Sequence, residues 1–323
     1  MAVDPAVPVV DVAPLMTGAG AGDVDAVAAA LDRACRDTGF FTIVGHGVDP
    51  RCVARVDRLS REFFGLDDEE KARIAMAHGG RAWRGWFPLG GELTSGRPDR
   101  KEGLYFAAEH PGDARPLHGA NLFPERPVEM RAAVLEYLDA MTRLGHQVMR
   151  GLARALGLDD DWFAGHLTGD PTVLLRVFRY PPHAGDDAWG VGEHTDYGLL
   201  TMLAQDDAGG LEVRTRTGWR AVPPVRDALV CNIGDMLDRM TGGEYQSTAH
   251  RVRNTSDRDR IAIPFFFDPA WDARVRALPG RRGDVTGGDR WDGQDLHGFE
   301  GTYGDYLVAK VSKVFPALRE GVL

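Results

Sequence analysis

The stretch of sequence that decides the fold is Gly192–Thr201, which reads GEHTDYGLLT, together with His250 further along the chain. Residues i and i+2 of a β-strand point to the same face, so His194 and Asp196 can reach one metal ion together. His250 lies in the short β-prone run Ser247–Val252 and can supply a third ligand from a neighbouring strand. Two imidazoles and one carboxylate, without a thiolate, favour a non-haem Fe(II) site with open coordination positions over a closed structural zinc site.

A buried cation is predicted close to this triad. Arg260 follows His250 by ten residues and begins the apolar run Arg260–Phe267. A charge at the head of a strand that enters a protein interior needs a partner, because burying it alone is costly. A dicarboxylate co-substrate on the metal would be such a partner. Taken alone, the triplet His-Thr-Asp is also compatible with an ordinary turn, so the metal interpretation depends on these surroundings.

Further motifs surround the candidate ligands, namely Tyr180-Pro181-Pro182, Gly209–Val213, Gly218-Trp219, Asn232–Leu237 and Tyr245–Val252. Together with GEHTDYGLLT, they resemble the 2-oxoglutarate/Fe(II)-dependent dioxygenases of the isopenicillin N synthase-like family. The resemblance continues at both ends of the chain, in Val7–Val12, Thr38–Phe41, Gly45–Val48 and Tyr303–Pro316. It therefore covers nearly the whole sequence.

The resemblance implies an oxidoreductase that uses Fe(II), 2-oxoglutarate and O₂. Such an enzyme oxidises a small organic substrate by hydroxylation, desaturation or ring closure and releases succinate and CO₂. By the same resemblance, His194, Asp196 and His250 would bind the iron, while Arg260 and Tyr180 would hold the co-substrate. Arg176 falls on the same strand face as Tyr180, and we expect it to contact the co-substrate or the substrate, with an ordinary surface charge as the alternative.

Two positions depart from the family pattern. The family has Arg-x-Ser where this chain has Arg260-Ile261-Ala262, and it often has Asn where this chain has Phe178. Both changes remove a polar side chain close to the expected co-substrate. They leave open an O₂-dependent Fe(II) oxidase or cyclase that does not use 2-oxoglutarate. A zinc-type hydrolase with the same triad is a further alternative, and it would work without O₂.

The glycine-rich segment 79–108 is predicted to be irregular and to form the substrate wall, because loops over a barrel mouth often carry specificity. Its candidate substrate-binding residues are Arg84, Trp86 and Tyr105, with ordinary packing as the alternative. The Ala-, Gly-, Arg- and Asp-rich composition is typical of a GC-rich bacterial genome. It suggests the tailoring of a natural product, as in antibiotic biosynthesis.

Seven short strands at close spacing predict a β-sandwich or a jelly roll. The resemblance implies the second of these, a mainly β protein with helical decoration (α+β) and a double-stranded β-helix, or jelly-roll, core. We expect one oxygenase domain over residues 1–323. It would comprise an N-terminal helical and loop region at about 1–120, the jelly-roll core at about 172–270 and a C-terminal helix at about 303–318. A loop is expected at 280–288. The other predicted helices are 23–36, 49–64 and 127–156, and the predicted strands are 9–12, 40–44, 173–180, 199–204, 211–214, 219–222, 228–233, 247–252 and 261–267.

Composition narrows the functional classes. The chain has 323 residues and a net charge of −10, which argues against a nucleic-acid or anionic-membrane surface. Its cysteines, Cys35, Cys52 and Cys231, lie far apart and read as free thiols in a reducing compartment. Neither a signal peptide nor a long apolar run is evident. We therefore expect a cytoplasmic enzyme with a small-molecule substrate and no nucleic-acid or membrane partner.

Overall fold

The computed structural model describes residues 7–18, 20–182, 189–281 and 299–315. Its helices are α1 (Ala13–Thr17), α2 (Ala21–Asp37), α3 (Pro50–Phe64), α4 (Asp68–Ala72), α5 (Met130–Ala155), α6 (Trp162–His166), α7 (Asp235–Thr241) and α8 (Tyr303–Val314). Its strands are β1 (Val9–Asp11), β2 (Phe40–Val44), β3 (Gly85–Phe87), β4 (Glu102–Ala107), β5 (Thr172–Tyr180), β6 (Val191–His194), β7 (Leu200–Gln205), β8 (Leu211–Thr215), β9 (Gly218–Ala221), β10 (Leu229–Ile233), β11 (His250–Val252) and β12 (Arg260–Asp268).

Two of the helices begin where their sequences supply a cap. Asp49 precedes α3, and its side chain accepts a hydrogen bond from the backbone N–H of Arg51. Thr302 and Asp305 form a reciprocal capping pair at the start of α8. The predicted helices at 23–36, 49–64 and 127–156 are confirmed. Residues 316–318 of the predicted C-terminal helix, and most of the predicted loop at 280–288, lie outside the described residues.

Two sheets form the core. The larger has the strand order β1-β2-β10-β7-β12-β5-β4-β3, and the smaller has the order β6-β11-β8-β9. Side chains alternate along β5 and β12, so that even-numbered residues of both strands line the cavity inside the roll. The odd-numbered Phe267 packs outward against α5, where Gly145 leaves room for its ring. This arrangement is the predicted jelly roll with helical decoration.

Strands from the N-terminal region extend the larger sheet at both edges. β1 and β2 lie at one edge, and β3 and β4 lie at the other. The N-terminal region and the jelly roll therefore share one sheet, and their buried apolar residues form one cluster. On this basis we propose that the chain is a single oxygenase domain rather than two independent units.

The segment 79–108 is not irregular throughout, and the prediction is wrong for β3 and β4. All six residues of β4 are buried. A strand buried on both faces lacks the alternation of polar and apolar residues that a half-buried strand shows. The short strand β6 was not among the strands predicted from periodicity, since Val191 is its one apolar residue with a side chain large enough to show alternation, although the metal argument had already placed His194 on a strand.

The state of the cysteines and the hydropathy of the helices relate to the predicted reducing compartment and to the predicted lack of a membrane-spanning segment. Cys35, Cys52 and Cys231 are all buried and free. Burial raises the pKa of each of these thiols. Among the described residues, no helix is both long enough and apolar enough to cross a membrane.

Candidate metal centre and its cavity

The two histidines of the candidate triad face each other across paired strands. His194 ends β6, His250 begins β11, and the two are register partners with ring centroids 4.2 Å apart. Their Nδ1 atoms lie 2.8 and 3.2 Å from the backbone carbonyls of Gly192 and Thr248, respectively. Because a carbonyl only accepts, each Nδ1 carries the proton. This orientation directs each Nε2, the nitrogen that can bind a metal, away from the backbone carbonyl.

Asp196 joins the histidines from a loop. β6 ends at His194, so the prediction that both residues share one strand face is wrong, and hydrogen bonds orient the carboxylate instead. Thr201 Oγ1 and Asn232 Nδ2 donate to Asp196 Oδ2 over 2.6 and 2.7 Å. Asp196 Oδ1 lies 4.0 Å from His194 Nε2 and 3.8 Å from His250 Nε2.

One metal ion fits between these three side chains, because their candidate ligand atoms all lie within 4.8 Å of one another. Burial, and then the His250 imidazole, lower the pKa of His194 to about 3, so its ring is neutral as a metal ligand must be. Burial opposes the ionisation of Asp196, but the imidazoles and the two hydrogen bonds lower its pKa and keep it charged. Two imidazoles and one carboxylate suit Fe(II) and leave positions for other ligands.

Arg260 lines the same cavity and is fully buried, opposite Tyr180 in the β5–β12 ladder. Its Nε donates to the carbonyl of Gly209 over 2.6 Å, and its Nη2 donates to Gln205 Oε1 over 3.3 Å. Its Nη1 is buried without a hydrogen-bond partner among the described residues. Burial lowers the pKa of Arg260. An anion would satisfy this guanidinium, and the dianion 2-oxoglutarate fits that need.

The two residues that depart from the family pattern are neighbours in the sheet. Ala262 of β12 faces Phe178 of β5, and this pair follows Arg260 and Tyr180 on the same face. Both residues are buried and line the cavity. The missing hydroxyl and the missing amide therefore leave a single apolar spot beside Arg260.

Arg176 lines another part of this cavity. Its guanidinium carbon lies 4.5 Å from the ring centroid of Tyr105 and 4.8 Å from that of Phe266. Its Nη1 lies 3.7 Å from Glu92 Oε1. Its buried Nε has no hydrogen-bond partner within the part of the chain that the structure describes. The cavity thus contains two arginines with spare hydrogen-bond donors.

Sequence reasoning missed a cluster of buried charges in the cavity wall. Lys101 Nζ lies 2.8 Å from Glu92 Oε2 and 3.0 Å from Asp99 Oδ2. Lys101 and Glu92 are each 2% exposed, and both line the cavity. The available signal was Lys101 directly before the strand β4, which resembles the pattern that drew attention to Arg260.

Asp268, the last residue of β12, is a second acidic side chain that the sequence did not reveal as part of the cavity wall. It accepts hydrogen bonds from the backbone N–H of Leu199 and from the hydroxyl of Tyr303. Burial raises its pKa to about 7. Gly198 makes this contact feasible, since a Cβ at that position would lie 1.5 Å from Asp268 Oδ1.

The predicted substrate-binding residues Arg84, Trp86 and Tyr105 are buried and are not among the residues that line this cavity. Arg84 donates to three backbone carbonyls, and Trp86 Nε1 donates to the carboxylate of Glu102. The hydroxyl of Tyr105 donates to Glu92 Oε1 over 2.7 Å. The positions of Arg84 and Trp86 therefore correct the prediction, because their polar groups stabilise the fold, while Tyr105 packs against Arg176 from outside the cavity.

Two family models match the chain. The model described as non-haem dioxygenase in morphine synthesis N-terminal matches residues 7–126. The model of the 2OG-Fe(II) oxygenase superfamily matches residues 171–269, a range that contains the triad, Tyr180 and Arg260.

Known proteins resemble this chain over nearly its whole length. A probable iron/ascorbate oxidoreductase of Dictyostelium discoideum is 45% identical, over 91% of this chain and 90% of the relative. A homoarginine-6-hydroxylase of Oryza sativa subsp. japonica is 36% identical, over 95% of this chain and 96% of the relative. The crystal structure of a full-length Neurospora crassa protein in complex with alpha-KG and thymine is similar with a TM-score of 0.79 and 26% identity, covering 95% of this chain and 96% of that one. The chain therefore belongs to the 2OG-Fe(II) oxygenase superfamily and is an oxidoreductase that uses Fe(II), 2-oxoglutarate and O₂ to oxidise a small substrate.

Proposed function

We propose that His194, Asp196 and His250 bind one Fe(II) ion through the two Nε2 atoms and Asp196 Oδ1. The proposal rests on the convergence of these three atoms and on the neutral state of the His194 imidazole. Bound iron, with 2-oxoglutarate and O₂, supplies the oxidising chemistry. The surrounding residues hold the ligands in place: backbone carbonyls orient the imidazoles, and Thr201 and Asn232 orient the carboxylate.

We propose that Arg260 and Tyr180 hold the distal carboxylate of 2-oxoglutarate. The unpartnered Nη1 of Arg260 supports this assignment, since an anion is the partner that it lacks among the described residues. The charges agree, because Fe(II) with Asp196 leaves about +1 and Arg260 adds about +1, which a dianion neutralises. The aromatic ring of Tyr180 lies 4.9 Å from the guanidinium carbon and limits the positions that Arg260 can adopt.

We propose that Arg176 binds the substrate rather than the co-substrate, and that the substrate is an amino acid or another small carboxylic acid that undergoes hydroxylation. The observation that carries this proposal is the buried Nε of Arg176, which has no partner in the described part of the chain, in the wall of the cavity that contains the triad. Arginine is well suited to carboxylate recognition. Support also comes from the similarity to a homoarginine-6-hydroxylase, which by its name acts on an amino acid.

Turnover with isotope-labelled 2-oxoglutarate tests the proposal. A panel of amino acids, each paired with its methyl ester as the matched control, would be incubated with the Fe(II)-loaded enzyme in air. We expect a free acid to stimulate the release of labelled succinate and its ester to fail. Equal stimulation by acid and ester would contradict the role of Arg176. Substrate oxidation without labelled succinate would identify an oxidase that does not use 2-oxoglutarate.

We also propose that the enzyme acts in the cytoplasm, without a nucleic-acid or membrane partner, and tailors a natural product such as an antibiotic. Three buried free thiols suit a reducing compartment, and the net charge of −10 disfavours polyanionic partners. Comparing the metabolites of the source organism with those of a deletion strain tests the pathway role. An unchanged set of natural products would contradict it.

A further inference from the structure

Lys101 is a buried cation whose contacts leave part of its ammonium group available to the cavity. Glu92 and Asp99 lie 2.8 and 3.0 Å from its Nζ. The contact with Glu92 Oε2 is an ion pair without hydrogen-bond geometry. Because an ammonium group has three N–H donors, these two carboxylates leave at least one donor over. The side chain lines the cavity, and its Nζ lies 4.4 Å from the ring centroid of Phe178.

The ammonium group lies against one of the two residues that form the apolar spot described above. Phe178, which lies against the Lys101 ammonium, is the cross-strand partner of Ala262. The neighbouring pair on the same face is Tyr180 and Arg260. A cation from the residue that precedes β4 therefore lies on the Phe178 side of this spot and lines the same cavity.

Electrostatics place Lys101 near the anion site as well. Burial raises the pKa of Tyr180, and the positive charges of Lys101 and then of Arg260 oppose that rise. The hydroxyl of Tyr180 is thus within the influence of both cations. An anion bound beside Arg260 and Tyr180 would experience the charge of Lys101 too.

Lys71 shows what a purely structural lysine looks like in the same protein. It is also buried, lies 2.9 Å from both Asp68 and Glu102, and has its Nζ 5.2 Å from the Trp86 ring centroid. It does not line the cavity of the triad. The two lysines thus have similar carboxylate and aromatic partners and differ in their access to this cavity.

We propose that Lys101 is a second cationic contact for 2-oxoglutarate. It would supply a charge-assisted hydrogen bond to the co-substrate, which the apolar side chains of Phe178 on β5 and Ala262 on β12 cannot supply. The inference rests on the proposed placement of the co-substrate at Arg260. The lysine remains paired with Glu92 and Asp99 and donates its third N–H to the bound anion. It also explains how an enzyme of this family can dispense with both polar residues.

Calorimetric titration of 2-oxoglutarate into anaerobic, Fe(II)-loaded protein tests the proposal without relying on turnover. Because Lys101→Met alone would leave two buried carboxylates poorly compensated, the main variant is Lys101→Met combined with Asp99→Asn. We expect its Kd for 2-oxoglutarate to rise roughly ten- to hundredfold, with iron content and Tm close to those of Asp99→Asn alone. Lys71→Met, the matched control, should bind 2-oxoglutarate as the wild type does.

A second step asks whether the lysine replaces the missing hydroxyl. Ala262→Ser should improve 2-oxoglutarate binding severalfold in the Lys101→Met/Asp99→Asn background and by less than about threefold in the wild type, because the two donors serve one anion. If the Lys101→Met/Asp99→Asn variant bound 2-oxoglutarate with wild-type affinity while Arg260→Met bound it weakly, only the proposed role of Lys101 would be overturned. If both variants bound 2-oxoglutarate with wild-type affinity, the proposed placement of the co-substrate at Arg260 would be overturned.

Discussion

Arg260 and Arg176 line one cavity, but their surroundings differ. Arg260 donates to a backbone carbonyl and to an amide oxygen, and no carboxylate pairs with it among the described residues. Arg176 lies between two aromatic rings and faces the carboxylate of Glu92 at 3.7 Å. One guanidinium is thus hydrogen-bonded by neutral groups, with the Asp206 carboxylate acting on it only from a distance, whereas the other has an acid close beside it.

This difference indicates what each arginine can do. A buried cation without an internal counter-charge retains its attraction for an anion from outside, while a cation beside an acid has part of its charge already neutralised. Arg260 is therefore suited to hold the dianionic co-substrate firmly. Arg176 is suited to orient a more weakly bound substrate that must be exchanged in every cycle.

Both arginine roles depend on a metal ion in the cavity. The largest loss of activity is therefore expected when one of the three candidate metal ligands is replaced. His250→Ala should abolish turnover and strongly reduce the iron retained after anaerobic loading and desalting, because only two ligands would be left. Metal analysis and succinate release measure the two effects. His166→Ala, which replaces an exposed histidine stacked on Trp162, is the control and should retain iron. Full iron content in His250→Ala would show that the ion is bound elsewhere.

The next effect separates the two arginines directly. Arg260→Met should weaken 2-oxoglutarate binding by roughly a hundredfold or more, since the distal carboxylate loses its main counter-charge. Iron content should stay unchanged, because Arg260 is not one of the candidate ligands. Calorimetry on the anaerobic enzyme gives the Kd. A loss of less than about threefold would mean that the anion site is not at this end of the cavity.

Arg176→Met should have a smaller and different effect. We expect the KM for the acidic substrate to rise about tenfold, because Glu92 already neutralises part of the charge that is removed. The Kd of 2-oxoglutarate should change by less than about twofold. Steady-state kinetics with varied substrate, beside calorimetry, measures both quantities. A loss of 2-oxoglutarate affinity as large as that of Arg260→Met would return Arg176 to the co-substrate, one of the two roles expected from the sequence.

The smallest effect concerns pH. Burial raises the pKa of Asp268 to about 7, so this cavity residue is neutral in acid and becomes charged as the pH rises through that value. The new negative charge disfavours an acidic substrate, so KM should rise a few-fold between about pH 6 and about pH 8. Asp268→Asn should flatten the pH dependence of the substrate KM. In the wild type, the Kd of 2-oxoglutarate should change with pH far less than this KM does. An unchanged profile in Asp268→Asn would exclude Asp268 as its source.

The titration of Asp268 should also affect the stability of the fold. The folded state binds the Asp268 proton more tightly than the unfolded chain does, because burial raises the pKa only in the folded state. The free energy of unfolding should therefore decrease as the pH rises from the ordinary carboxyl range through about 7. Denaturant unfolding of the wild type and of Asp268→Asn at several pH values measures this contribution.

Features set by local chemistry could be predicted from the sequence. The helices follow from apolar spacing and caps, and the residue types of His194, Asp196 and His250 point to a metal without any knowledge of the fold. Arg260 stood out because a charge began an apolar strand. The structure brings all four of these residues to one cavity.

Features set by the pairing of distant strands could not be predicted. Phe178 and Ala262 are each noticeable in the sequence, but only the register of β5 and β12 makes them one apolar spot. Asp196 follows a strand of the smaller sheet and is oriented by Asn232, which belongs to the larger one. The signal at Lys101, a charge directly before a strand, was overlooked because β4 is buried throughout and its lack of alternation concealed the strand itself.

The buried thiols have a further consequence for the lifetime of the enzyme. A protein that handles O₂ at iron is exposed to oxidants from its own failed cycles, and thiolates are the side chains that react with them first. Cys35, Cys52 and Cys231 are buried with raised pKa values, so little thiolate forms at neutral pH. Their burial therefore makes these three thiols poor targets for such oxidants.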